Sequence, residues 1–185
     1  MAKRDKDTIT IGSCKVFMQV FEDTMPDKDT LCVEGNRVGY VKSGAAVEYT
    51  EETHEEKDDL GYVSKIITLS EEALVKLGLI TWNGQTLQKL IDRCQVTEDK
   101  TKGLRHVKIG GAGNAQGKYY AIGLHHEDKA DGDVWVLLKG RNTAGVTLTY
   151  AMDNGTLVEP EFRAMPHDGA GTLLEYIEQI PVSTT

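Results

Sequence analysis

The chain has few of the residues that crosslink a fold or divide it into domains. Its three cysteines, Cys14, Cys32 and Cys94, are an odd number at wide spacing, and no CxxC pair occurs. A disulfide framework or a structural zinc site is therefore not predicted, and reduced, mostly buried thiols in a cytoplasmic setting fit best. No linker rich in Pro, Gly or Ser interrupts the 185 residues, and no repeat of fixed period occurs. We therefore expect one domain, residues 1–185.

Long apolar runs are also missing. A typical apolar run is residues 134–138, whereas a membrane-spanning helix needs about 20 residues. The first seven residues are charged and lead into no apolar segment, so no secretory signal is expected. Hydrophobic residues still make up 39% of the chain, and 19 glycines add to them, which indicates a globular core rather than disorder.

Net positive charge is lacking as well. The formal net charge is -8, and residues 51–59 hold six acids and one lysine. Binders of duplex DNA or anionic membranes usually carry the opposite sign. Two interpretations of the acidic stretch remain open: a solvated loop, or a long loop at about 50–61 that meets a basic surface on a partner. Its candidate contact residues are Glu51, Glu52, Glu55, Glu56, Asp58 and Asp59.

Short strands separated by turn residues dominate the pattern. Residues 146–150 alternate apolar and polar side chains, and residues 134–138 are apolar on both faces, which predicts a central strand. Residues 153–155 (Asp-Asn-Gly) predict a hairpin turn. Pro160 has no N–H, so its strand is expected at an edge or with a bulge. The other predicted strands are 8–19, 31–33, 37–42, 45–50, 61–69, 104–109, 118–125 and 173–180.

Two segments predict helices. Ser70 followed by two glutamates indicates an N-cap, with Gly78 as a stop, so residues 70–78 form a helix of at most two turns or a turn. Leu87, Leu90, Ile91 and Cys94 repeat at helical spacing and form one apolar stripe. We expect this second helix to pack flat against a sheet, with Leu87, Leu90 and Ile91 as its anchors.

Catalytic chemistry has little support in the sequence. The glycine-rich stretch 110–117 precedes a predicted strand rather than a helix, so it reads as a flexible hairpin loop and not as a phosphate loop. His125 and His126 are adjacent, so on a strand they point to opposite faces and do not converge on one metal ion. Trp82 and Trp135 are expected to be core anchors. No catalytic, metal-binding or cofactor-binding residue is predicted, and an enzyme is not expected.

Three stretches in order carry a family resemblance. The first begins with Thr81-Trp82-Asn83-Gly84 and continues to residues 103–111, the second spans residues 132–145, and the third spans residues 161–176. This arrangement, over roughly residues 8–180, resembles the major tail tube proteins of tailed bacteriophages, or of phage-tail-like bacteriocins, of Gram-positive bacteria. The resemblance implies a mainly β fold of two packed antiparallel sheets, a sandwich or partly closed barrel, with one flanking helix.

The resemblance also implies function and partners. Hexameric rings would stack into a hollow tube that conducts DNA during ejection, with an N-terminal arm at about residues 1–10. Possible partners are tail sheath, tape-measure and tail terminator proteins. DNA would pass transiently and without specificity, and no membrane is involved. The protein would be found in the virion tail or bacteriocin particle, and in the host cytoplasm during assembly.

Some sequence features suit such a tube. An edge strand can pair with the next subunit. A net negative charge would keep the tube from binding the DNA phosphates as DNA passes through. Thr147 and Thr149 would give one strand a polar side that faces the lumen. Acidic residues 51–59 would then belong to a long loop that stacks one ring on the next, with Lys100, Lys102 or Arg105 of a neighbouring subunit as candidate partners. The alternatives are a tube protein of a type VI secretion or other contractile injection system and, in a different class, a small-molecule-binding β-barrel.

Overall fold

The computed structural model describes Arg4 and residues 8–181. The protein is mainly β, with 47% of residues in strands and 10% in helices, and its strands form two antiparallel sheets, one large and one of two strands. The predicted fold class is therefore confirmed. The strands are β1 Lys15–Val20, β2 Arg37–Gly39, β3 Val41–Lys57, β4 Ser64–Leu79, β5 Cys94–Asp99, β6 Leu104–Ile109, β7 Tyr120–His126, β8 Val134–Asn142, β9 Glu161–Met165 and β10 Leu174–Glu178; the helices are α1 Lys28–Leu31 and α2 Gly84–Leu90.

The large sheet runs in the order β2-β1-β7-β8-β9-β4-β3, and β10 pairs with β8 beside β9. Its two ends meet at Tyr40. Strand β2, which pairs with β1 at one end of the sheet, is followed by Tyr40 and then by Val41, which pairs with Leu79 of β4 at the other end. The Tyr40 carbonyl accepts a hydrogen bond of 2.9 Å from the Ile80 N–H, and the Tyr40 N–H donates to the Thr81 hydroxyl at 2.7 Å. The sheet thus curls into a barrel.

Side chains from around the barrel fill its interior. The main core includes Met18, Val75, Ile122, Leu138 and Phe162, none of which retains measurable exposure. They come from five strands, β1, β4, β7, β8 and β9, which is possible because alternate residues of each strand point inward. Burial of this apolar surface is the main term that stabilises the fold.

Helix α2 covers one side of the barrel, and the two-stranded sheet β5–β6 packs against α2. The Asn83 side chain caps α2 by accepting hydrogen bonds from the N–H groups of Gln85 and Thr86. Leu87 and Leu90 are buried. Ile91 is half-buried against the main core, and the Thr86 hydroxyl donates to the Val38 carbonyl at 3.0 Å.

The glycine-rich stretch 110–117 connects helix α2 and strand β5 through hydrogen bonds of Gln116. It connects β6 to β7, which belong to different sheets, so the predicted hairpin loop is wrong. The Gln116 amide donates to the carbonyls of Gln88 and Cys94, each at 3.0 Å, and lies 3.4 Å from that of Ile91. The carbonyls of Gln88 and Ile91 lie at the end of α2, where helical partners are missing, and that of Cys94 belongs to β5.

A smaller apolar cluster covers part of the outer face of the sheet. Leu31, which ends α1, packs with Ala121 and Leu137. Half-buried side chains around them include Phe21 and Trp135, whereas Trp82 packs against the main core. Because α1 occupies residues 28–31, the predicted strand at 31–33 is wrong.

The predicted helix at residues 70–78 is also wrong, since these residues lie in β4. Ala73, Val75, Leu77 and Leu79 are buried, at a spacing of two. That spacing suits a strand, and pairing with β3 and β9 outweighs the N-cap signal of Ser70. Cys94 leaves the predicted helical stripe for the same kind of reason, because it begins β5 and pairs with Ile109.

The central strand predicted at residues 134–138 is confirmed as part of β8, which pairs with β7 on one side and with β9 and β10 on the other. The strand predicted at 146–150 is wrong. Val146 and Leu148 pack against the main core, and Thr147 and Thr149 are exposed, so the alternation is real. However, β9 already occupies the edges of β8 and β4 on that side, which leaves this segment no pairing partner.

Two further predictions, the hairpin turn at residues 153–155 and the edge strand at Pro160, also differ from the structure. Residues 152–154 form a bend, and not a hairpin between strands, in which the Thr156 hydroxyl donates to the Thr149 carbonyl at 2.6 Å. Strand β9 is paired on both sides, so the predicted edge strand is wrong. Pro160 is fully buried just before β9, and its carbonyl accepts from the Leu77 N–H at 3.3 Å. The ladder continues past it in register and lacks only the bond that proline cannot donate.

Candidate assembly surface

Strands β3 and β4 continue beyond the barrel as a two-stranded ribbon, which we call the arm and define as residues 45–73. The arm begins at an irregularity in β3 between Val41 and Ala45, where Ser43 and Gly44 adopt positive φ values of 72° and 82°. Beyond it, the strands pair as far as Lys57 and Ser64, with one further irregularity between Glu52 and Thr53. The long loop predicted at about residues 50–61 is therefore wrong for most of its length. Residues 51–57 belong to β3, and only residues 58–63 form a turn.

The turn at the end of the arm is organised by Asp58. Its carboxylate accepts hydrogen bonds from the N–H groups of Val63 at 2.7 Å and Leu60 at 3.3 Å. The bond from Val63 is the main cause of the lowered pKa of Asp58. Gly61 has φ +72°, a conformation that favours glycine and completes the reversal. The tip thus has a defined shape although it is exposed.

The six candidate acids are spread along both faces of the arm. Glu51 and Glu55 alternate with Glu52 and Glu56 on β3, and Asp58 and Asp59 lie in the turn. The few local partners include Lys57, 3.0 Å from Glu55, and His54, 3.1 Å from Glu56. All these side chains are exposed, so such pairs contribute little to stability. Most of the negative charge is left for solvent or for a partner.

Tyr49 links two acidic side chains near the base of the arm. The Tyr49 hydroxyl donates to the carboxylates of Glu51 at 2.7 Å and Glu71 at 3.0 Å. The bond to Glu51 is the first cause of the raised pKa of Tyr49. Since Glu51 and Glu71 are direct cross-strand neighbours, this shared donor offsets part of their repulsion.

Both edges of the arm lack a neighbouring strand within the part of the chain that the structure describes. The outer edge of β3 is the end of the sheet, and β4 meets β9 only at Leu74, Val75 and Lys76. Residues 64–73 of β4 therefore expose the backbone groups on the side away from β3. Such edges readily pair with strands of another chain.

The arm also exposes large apolar side chains. Ile66 is 64% exposed and Tyr62 is 83% exposed. Further exposed apolar residues on the arm are Val47, Tyr49, Leu60, Val63, Ile67 and Leu69. An exposed apolar patch of this kind, flanked by charges, is typical of an interaction surface.

A groove of about 660 Å³ lies at the base of the arm. Residues 68–71 of β4 form one wall, and Arg141 of β8, Arg163 of β9 and the loop 166–173 form the rest together with Tyr119 and Met165. We call it the arginine groove. Arg141 and Arg163 are direct cross-strand neighbours on the outer face, since Asn142 and Phe162, the next pair, belong to the other face. Neither arginine was among the residues predicted from the sequence, although each alternates with buried residues on its strand.

The remaining sequence candidates lie apart from this surface. His125 stacks on Trp135 with ring centroids 4.9 Å apart and contacts Asp133 at 3.0 Å, whereas His126 contacts the Ser13 carbonyl at 2.9 Å. Among the described residues, no group of three or more metal-ligating side chains is brought together. Lys102 and Arg105 lie beside Asp99 and Glu98 of their own sheet. Most of the predicted N-terminal arm at residues 1–10 lies outside the described residues.

Comparison with protein-family models finds no family that matches the chain, and comparison with curated proteins finds no significant match. Within the described residues, no helix is long and apolar enough to span a bilayer.

Proposed function

We propose that the protein is a structural subunit that assembles into stacked hexameric rings, forming the tail tube of a bacteriophage or of a phage-tail-like bacteriocin. The observation that carries the proposal is the arm, a ribbon of two strands that leaves the barrel with unpaired edges and exposed apolar side chains. A two-stranded ribbon is at best marginally stable in water. Contact with neighbouring subunits would supply the pairing and burial that the arm lacks.

The arrangement of surfaces suits a repeating assembly. Residues 68–71 of the arm form one wall of the arginine groove, but the tip of the arm is a different surface, so a contact between the tip of one copy and the groove of another is head-to-tail. Head-to-tail contacts close into rings or continue as filaments, depending on the rotation between subunits. A net charge of -8 would keep the lumen from retaining DNA through its phosphates during ejection.

A small-molecule-binding barrel is less well supported. The interior is filled by buried residues such as Ile122, Leu138 and Phe162. The large groove opens on the outer surface instead. A tube protein of a contractile injection system would share the same fold and arm, and we retain it as the alternative identity.

Electron microscopy and sedimentation of the purified full-length protein test the proposal. Over a range of concentration and salt, we expect rings or tubes of uniform diameter. The double variant Ile66→Lys/Ile67→Lys should remain folded and monomeric, because both residues lie on the arm. Leu104→Lys on β6 is the matched control, since Leu104 is also exposed but lies outside the arm, and it should assemble normally. A wild-type protein that stays monomeric under all conditions would refute the proposal.

A further inference from the structure

We propose that the arginine groove binds the acidic tip of the arm, residues 55–59, from a second copy of this chain. This inference rests on the proposed self-assembly and identifies the surface that receives the arm.

The groove holds positive charge that the subunit itself neutralises only in part, through Glu72 and the nearby Glu71. Arg141 faces Arg163 directly across the strands, an arrangement in which like charges repel. Arg163 contacts Glu72 at 3.0 Å, but Arg141 forms no ion pair with any described residue and lies over the Tyr119 ring, 5.5 Å from its centroid. Lys139 lies at the rim, donating to the Pro166 carbonyl at 3.4 Å. An incoming anion would relieve the repulsion.

The chemistry of the groove fits carboxylates presented on a folded segment. Guanidinium groups form paired, planar hydrogen bonds with carboxylates. Tyr119, Met165 and Leu173 add apolar walls beside the arginines. Ile66 and Tyr62, which are exposed near the tip, are side chains that such walls would accommodate.

The tip carries the complementary charge but cannot reach the groove of its own subunit. Residues 55–59 have four acids and one lysine, whereas Glu51 and Glu52 pair with Glu71 and Ser70 beside the groove of their own subunit. The groove contacts β4 at residues 68–71, whereas the turn begins beyond Ser64 in a paired ribbon. At about 3.3 Å per residue, the turn lies roughly 20 Å from the middle of this wall. The ribbon is paired on both sides of one irregularity at Leu69, so it holds the tip away from this groove, and a contact with a groove requires another copy.

The β5–β6 sheet is the competing basic surface. Its Lys102 and Arg105 already have carboxylate partners, Asp99 at 3.5 Å and Glu98 at 2.8 Å. Arg141 has none, so it gains more from an incoming carboxylate. The arginine groove is therefore the better receiver.

Zero-length crosslinking tests the contact directly. Unlabelled and ¹⁵N-labelled full-length protein are mixed, assembled and treated with a carbodiimide, which joins lysine amines to carboxylates. Peptides of mixed isotope should link Lys139 to the acids of residues 55–59. Tip crosslinks to Lys100 or Lys108, with none to Lys139, would overturn the inference while leaving self-assembly intact.

Charge reversal supplies the second test. Arg141→Glu should raise the concentration needed for half-maximal assembly by about tenfold or more. Lys108→Glu, an equal change on exposed β6, should shift it less than about twofold. A Glu55→Arg/Glu56→Arg variant should also fail alone, yet an equal mixture with Arg141→Glu should assemble, because each tip then meets a groove of opposite charge.

The outcomes separate the two proposals. Unchanged melting temperatures would show that these exposed substitutions leave the fold intact. Normal assembly of Arg141→Glu, or failure of the mixture, would overturn docking in the groove but not tube formation. A wild-type chain that never assembles would overturn both.

Discussion

Replacing Leu90 with alanine removes the side chain by which α2 enters the main core. Leu90 is 2% exposed and packs within the cluster that fills the barrel. The surrounding contacts hold the helix in position, since the Lys89 amine donates to the Met18 carbonyl at 2.9 Å and the Asn142 amide donates to the Leu90 carbonyl at 3.0 Å. The backbone of α2 is therefore not free to collapse into the space that the leucine leaves.

The expected loss follows from two terms. Removing three buried carbon atoms loses about 2.4 kcal/mol of transfer free energy at roughly 0.8 kcal/mol per carbon. The unfilled cavity adds to this loss, and leucine-to-alanine changes in cores reduce the free energy of unfolding by about 2–5 kcal/mol in total. The higher helix propensity of alanine offsets only a few tenths of a kcal/mol.

Urea denaturation followed by tryptophan fluorescence, at concentrations where the protein is monomeric, measures this loss. Leu104→Ala is the matched control, because Leu104 is 51% exposed on β6 and should change stability by less than about 0.5 kcal/mol. If Leu90→Ala changes the free energy of unfolding as little as the control does, α2 is not docked in the core.

Three further predictions concern the arm, the loop beside α2 and acid stability. Replacing residues 51–59 with a Gly-Ser segment should leave the melting transition of the barrel unchanged but abolish or greatly shorten tubes in electron micrographs; tubes of normal length would return the segment to ordinary surface. Gln116→Ala should lower the free energy of unfolding by about 1–3 kcal/mol in urea titrations, because buried carbonyls lose their donor; a change near zero would mean that water replaces the amide. The Thr172 hydroxyl, which donates to Asp168 at 2.6 Å, is the main cause of the lowered pKa of Asp168. Its contribution to stability should be complete above the unfolded pKa of about 3.9 and lost as the pH falls through the lower folded value. Asp168→Asn should therefore flatten the acid limb of a stability-versus-pH curve, and an unaltered limb would argue against this assignment.

Several features followed from sequence alone because they depend on local patterns. Apolar residues on both faces of the segment 134–138 predicted a central strand, and β8 is central because such a segment needs covering on both sides. The stripe of Leu87 and Leu90 predicted the helix that became α2. The mainly β class was predicted from many short alternating segments. Because many segments contribute, the class is predicted correctly even when individual elements are wrong.

The wrong predictions concern segments whose secondary structure depends on strand pairing. Residues 70–78 carry a helix start signal, yet they form β4 because β3 and β9 offer hydrogen-bonding partners on both sides. Residues 146–150 alternate like a strand, yet β9 already pairs with β8 and β4 on the side of the barrel where this segment packs. Propensity is local, whereas strand pairing depends on which edges the rest of the chain leaves open.

The candidate site divides in the same way. The sequence by itself determined that negative charge is concentrated in residues 51–59 and that this segment lies between strands. Only the tertiary structure decided that the segment is a paired ribbon projecting from a barrel, and that Arg141 and Arg163, 22 positions apart, become cross-strand neighbours beside it. Charge density is a property of neighbouring residues in the chain, whereas the meeting of two arginines depends on strand register, which hydrogen bonding and core packing fix for the whole sheet at once.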